Sequence, residues 1–161
     1  MRYRGLISKT ARLFVLVWIV YAAHAYAASW QQLNQQVIGL SQQKKYTEAL
    51  PVARDALDIA EKEFGPNAPE VALSLNNLGF LYKTQGQFNK AIPLYERSVM
   101  IGEKVAGTRH EDLLVLLNNL AALYEAAGQK EKADGIYRKI RNNGYPEVAD
   151  KLEKQSTAIR H

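Results

Sequence analysis

The 161-residue chain has no cysteine and only three histidines, His24, His110 and His161. Without thiols there is no disulfide, no thiolate nucleophile and no cysteine for lipid attachment. A domain of this size must then be held together by core burial alone. So few imidazoles leave any metal centre resting mainly on carboxylates, and no H-E-x-x-H, acidic calcium loop, G-x-S-x-G or glycine-rich phosphate loop is present. His110 stands beside Glu111 in a segment that reads as a helix start. The pair Glu111-Asp112 reads the same way, because a helix N-terminus favours negative charge. The residues therefore predict a non-enzyme with no catalytic residue, no cofactor and no metal site.

Acidic residues are missing from the first 27 positions, which instead carry Arg2, Arg4, Lys9 and Arg12. An apolar stretch, LFVLVWIVYAA, follows, and then Ala25-Tyr26-Ala27. Charged, apolar and A-x-A regions in that order predict a secretory signal over 1–27 cut after Ala27. The apolar part, Leu13 to Ala23, is short of the roughly 20 residues that cross a bilayer as a helix. Export to the periplasm or the medium is expected; the alternative is an uncleaved inner-membrane anchor over 13–28, the one case in which a membrane is a partner. The basic net charge of +5 comes mostly from this segment. The remainder is nearly neutral and offers no field to attract nucleic acid.

Beyond position 28 the chain repeats itself. LSLNNLGFLYKTQGQFNKAI, from Leu73 to Ile92, returns 42 residues later as VLLNNLAALYEAAGQKEKAD, from Val115 to Asp134, with ten of twenty positions identical. Each copy carries two helical patterns around a glycine. Leu75, Leu78, Gly79 and Tyr82 lie at i, i+3, i+4 and i+7 and stop at Gly86; Phe88, Ala91, Tyr95 and Val99 restart the pattern. Leu117, Leu120, Ala121 and Tyr124 repeat it up to Gly128, before Ala133 and Tyr137. A more divergent first copy aligns Tyr46, Ala49, Pro51, Ile59, Glu61, Lys62 and Gly65 with Phe88, Ala91, Pro93, Ile101, Glu103, Lys104 and Gly107, with Gln36 standing where Leu78 packs. Atypical terminal units are expected, since one of their faces has no neighbour.

The joints are marked as well. Asn67-Ala68-Pro69-Glu70 and Thr108-Arg109-His110-Glu111 each place a capping side chain three residues before a Glu, predicting helix starts near Glu70 and Glu111. Pro51 and Pro93 fall a few residues inside second helices, where each removes a helical hydrogen bond and predicts a bend near the helix start. Asn142-Asn143-Gly144-Tyr145-Pro146 is a stop signal, after which Val148, Leu152 and Ile159 predict a C-terminal helix covering the last seam.

The pattern NLGFLYKTQGQFNKAIPLYERSV resembles the tetratricopeptide repeat. The 42-residue step, with GPNAPEVA and EKVAGTRHEDL between units, resembles its longer kinesin-light-chain variety. The likeness covers about residues 30 to 143 and departs at Gln36, at Lys130 against Phe88 and at Asp134 against Ile92. It implies an all-α fold: a right-handed α-solenoid of three helix-turn-helix units, about 30–66, 67–108 and 109–143, with the capping helix and tail over 144–161.

The resemblance also implies that first helices line a concave side. The side chains facing it are then Gln31, Asn34, Gln35, Ile38, Ser41 and Gln42; Leu73, Asn76, Asn77, Phe80, Lys83 and Thr84; and Val115, Asn118, Asn119, Ala122, Glu125 and Ala126. Asn34, Asn76 and Asn118 recur at one position. A side-chain amide both donates and accepts, so such a ladder can hold an extended main chain, with Ile38, Leu73, Phe80 and Val115 supplying apolar contact. The same asparagines can instead bond to adjacent helices and define their stacking. Family members that clamp a C-terminal carboxylate use groove cations, and here Lys83 stands alone, offset by Glu125. The expected function is therefore a non-enzymatic protein–protein interaction module of the bacterial cell envelope that binds a weakly charged peptide or partner protein in an Asn-lined groove. The alternative is a structural, self-associating envelope protein.

Overall fold

The computed structural model describes residues 29–106 and 111–159. The expected signal over 1–27, the Thr108-Arg109-His110 joint and His161 lie outside the described residues.

Seven helices and no strand occur among the described residues: α1 (Trp30–Gln42), α2 (Tyr46–Phe64), α3 (Pro69–Thr84), α4 (Phe88–Ala106), α5 (Glu111–Ala126), α6 (Lys130–Asn142) and α7 (Pro146–Ile159). Each packs on the next in chain order, and α1 also touches α3. This is an all-α solenoid of stacked helical pairs. None of the described helices is long and apolar enough to cross a membrane.

Local chemistry explains where the helices start. Ser29 caps α1 through a reciprocal box: its Oγ accepts from the Gln32 backbone N–H at 3.3 Å, and Gln32 Oε1 accepts from the Ser29 N–H at 3.1 Å. The expected Asn67 cap on α3 is overturned. Ala68 is the capping residue, extended at ψ 154, and no side chain caps the helix. Pro69 causes the shift: it takes the first helical position, needs no donor there, and forces the residue before it out of helical geometry.

The turns inside units share one conformation. Gly86 and Gly128 have φ of 71° and 73°, and the equivalent position in the first unit is Lys44 at φ 59°. A Cβ is disfavoured there, so the first unit carries local strain that the other two avoid. Pro51 and Pro93 lie inside α2 and α4, which continue through them. The carbonyls they deprive of a donor belong to the exposed residues Thr47 and Asn89, where water can replace it.

The core runs along the stack. Leu75, Leu78, Leu117 and Leu120 are buried, as are Tyr95, Ile101, Leu113 and Ile140. Burying one Leu side chain contributes about 1.5–3 kcal/mol, so the two Leu-rich helices α3 and α5 anchor the array. Gly79 is what lets α4 approach α3: a Cβ there would sit 2.9 Å from the Tyr95 ring. Gln36, Lys130 and Asp134, the departures from the repeat, are not buried, so they leave no polar group in the core.

Polar links repeat with the unit. Glu61 pairs with Arg97 at 2.6 Å, and Glu103 pairs with Lys139, both joining second helices of neighbouring units. At the C-terminal end Arg141 bonds Asp150 at 2.7 Å and Glu153 at 3.0 Å, tying α7 to α6. The apolar seam beneath is Tyr145, Val148, Ala149 and Leu152, with Ala149 fully buried. The Ile159 side chain lies outside the described ones.

Candidate functional site

Neighbouring helix positions point about 100° apart, so Asn76 and Asn77 on α3 face different neighbours. Asn77 Nδ2 donates to Asn34 Oδ1 on α1 at 2.7 Å, and Asn119 Nδ2 on α5 donates to Asn76 Oδ1 at 2.9 Å. The doubled asparagine is thus an inter-unit clamp, in which the second Asn of each unit bonds the first Asn of the unit before. One amide group of each residue is used. The Nδ2 of Asn34 and Asn76 and the Oδ1 of Asn77 and Asn119 make no further bond among the described residues. Asn118 makes none at all there.

Two depressions flank this line. The smaller, about 340 Å³, lies between α1 and α3 and is lined by Val37, Ile38, Ser41, Gln42, Asn77 and Phe80. The larger, about 560 Å³, lies between α3 and α5 and is lined by Pro69, Ala72, Leu73, Asn76, Gly102, Val105, Asp112, Leu113, Val115 and Leu116. Ile38, Leu73, Phe80 and Val115 stand 43%, 39%, 40% and 56% exposed, so they show apolar surface to solvent.

The larger cleft corrects one expectation. It is not walled by first helices alone, because Gly102 and Val105 come from the last turns of α4. A Cβ on Gly102 would meet Leu116 Cδ1 at 2.8 Å, so the small residue brings α4 against α5 there. Val105 stands one helical turn beyond the buried Ile101 yet is half-exposed, an apolar helix-end residue that the repeat pattern does not mark. Tyr46 was also missed. Its ring packs edge-on against Phe80 with centroids 6.2 Å apart, which fixes the Phe80 rotamer beside the smaller depression.

Lys83, Asn118, Ala122 and Glu125 line neither depression. Burial pushes the Lys83 ammonium below its ordinary value, and Glu125 partly opposes that. Glu125 also accepts from the Tyr137 hydroxyl at 2.6 Å. The two occupy equivalent positions of successive units and together leave this end of the groove without net charge. Among the described residues no group of three His, Asp or Glu is placed to hold a metal ion.

The model of the tetratricopeptide repeat matches residues 33–104 and 85–143. The chain belongs to the tetratricopeptide repeat family. Two solved structures of a Podosopora anserina kinesin light chain with nearly identical repeats, one of them a point variant, are 20% identical to this tetratricopeptide protein. They superpose with TM-scores of 0.65 and 0.64 over 90% of this chain and 83% of theirs. BtubC (BKLC) from P. vanneervenii is 25% identical, with a TM-score of 0.61 over 80% of this chain; the chain spans about half its length, 48%. No curated protein matches. The tetratricopeptide solenoid is in general a non-catalytic scaffold for protein–protein interaction.

Proposed function

We propose that this protein is an exported adaptor of the bacterial cell envelope that holds an extended segment of a partner protein along α1, α3 and α5. The observation that carries the reading is the pair of apolar depressions on either side of half-used asparagine amides. A peptide main chain needs both donors and acceptors when it leaves water, and consecutive residues of α3 keep one of each, Asn76 Nδ2 and Asn77 Oδ1. The apolar side chains flanking them supply the non-directional part of the affinity. The segment at 1–27 supports export on its sequence pattern.

Affinity capture from the native envelope tests the proposal. Wild type retains a partner, while Val115→Glu and Ile38→Glu lose it without loss of helicity, because both side chains are about half exposed and outside the buried core. Capture that survives both substitutions removes the groove from the function. Light scattering over a range of concentrations addresses self-association: a stable dimer abolished by the same substitutions would assign the exposed apolar residues to a second copy instead.

A further inference from the structure

We propose that the groove selects an extended, uncharged segment carrying two apolar side chains four residues apart, the bulkier one seated in the cleft between α3 and α5. The inference deepens the peptide-groove reading and rests on it. Along α3 the larger cleft is centred near Leu73 and the smaller between Asn77 and Phe80, about six residues between their midpoints, or about 9 Å of helix. The two lie on opposite flanks of α3, which adds a lateral offset of about one interhelical spacing, roughly 8–10 Å. The diagonal is therefore about 13 Å. An extended chain advances about 3.3 Å per residue and returns to the same face every second residue, so positions i and i+4 reach both depressions together. The residue midway between them lies over Asn76 and Asn77, each of which keeps one amide group that bonds nothing among the described residues.

The electrostatics select against charge in that segment. Among the described residues, Asp112 is the one charged side chain lining either depression, and it already has a partner. Lys83 is balanced by Glu125 farther along. A charged residue laid between the anchors would be stripped of water with nothing to compensate it. The unequal volumes, about 560 and 340 Å³, assign the larger side chain to the α3–α5 cleft.

The probes are fluorescein-labelled twelve-residue peptides of Gly, Ser, Thr and Gln, each carrying one Trp and one Leu separated by two, three or four residues, in both orders. Fluorescence polarisation against the full chain is expected to show at least tenfold tighter binding for the three-residue separation in one of the orders. Val115→Glu and Ile38→Glu should each reduce that binding tenfold or more, and an Asp at the central position should abolish the preference. Equal affinity at all separations, or loss through one substitution only, overturns the two-anchor rule and leaves the groove as a peptide site. If none of the peptides binds, the rule falls, and capture from the envelope then decides separately whether the groove binds protein at all.

Discussion

Asn119 donates to Asn76 at 2.9 Å, and the same bond one unit earlier joins Asn77 to Asn34 at 2.7 Å. Both link residues 43 positions apart, one more than the repeat, because the bond runs from the second Asn of one unit to the first of the previous one. Architecture and the proposed recognition thus share the same side chains.

That sharing makes the asparagines separable by mutation. Asn76→Ala removes an inter-helix bond and should cost about 1 kcal/mol in chemical denaturation. Asn118→Ala removes no bond among the described residues and lines neither depression, so it should leave both the unfolding midpoint and partner capture unchanged. Equal destabilisation by the two would contradict the clamp.

Gly79 and Gly39 should respond to alanine in opposite directions. Alanine at Gly79 drives a methyl to 2.9 Å from the Tyr95 ring, and overpacking of this kind costs about 1–3 kcal/mol. Gly39 has nothing within 4 Å in α1, so alanine there should stabilise by about 0.5–1 kcal/mol through helix propensity. Thermal unfolding of the two variants reads the difference in sign.

Lys44 is the one non-glycine residue with positive φ among the described residues. Lys44→Gly, matching Gly86 and Gly128, should raise stability by about 1 kcal/mol by relieving a left-handed backbone. A lower melting temperature would show that the Lys44 side chain contributes more than its backbone costs.

Alkaline pH should unfold the protein early. Burial pushes the Tyr95 and Tyr124 phenols well above their ordinary 10.0, and Tyr124 is pushed further because it donates to Glu96 at 2.6 Å. A raised phenol favours the fold fully below the unfolded value and loses that contribution as pH climbs beyond it. Lys83 acts oppositely: its lowered value disfavours the fold below 10.5, and that penalty fades as pH rises and the ammonium loses its proton in both states. Two phenols outweigh one ammonium, so the melting temperature should drop above about pH 10. Tyr124→Phe should flatten that drop; an unchanged slope would clear Tyr124 of the effect.

The inter-unit ion pairs should matter little. Arg97 and Glu61 are each about one-third exposed, and such pairs contribute about 0–1 kcal/mol. Arg97→Ala should cost no more than that, and added salt should erase most of the difference.

The helices were legible because their signals are local. The 3.6-residue spacing of Leu75, Leu78 and Tyr82, the stops at Gly86 and Gly128 and the 42-residue step all concern residues that are neighbours along the chain. Helix starts depended on competition between adjacent residues, and at Pro69 the ring geometry outweighed the Asn67 side chain. The apolar groove residues could be named from their phase between core positions, and the structure gathers Ile38, Leu73, Phe80 and Val115 into two depressions.

Sequence by itself determined that successive helical pairs must stack, since the Leu and Tyr stripes have nothing else to bury against. Only the tertiary structure decided that Asn77 bonds Asn34 while Asn76 bonds Asn119, because which amide meets which depends on how one helix is rotated and shifted against another. The same relative placement of α3, α4 and α5 decided that Val105 and Gly102, which no repeat pattern marks as groove residues, wall the larger cleft. Periodicity specifies the face of a helix, whereas a cavity is bounded by several helices whose approach is set by packing.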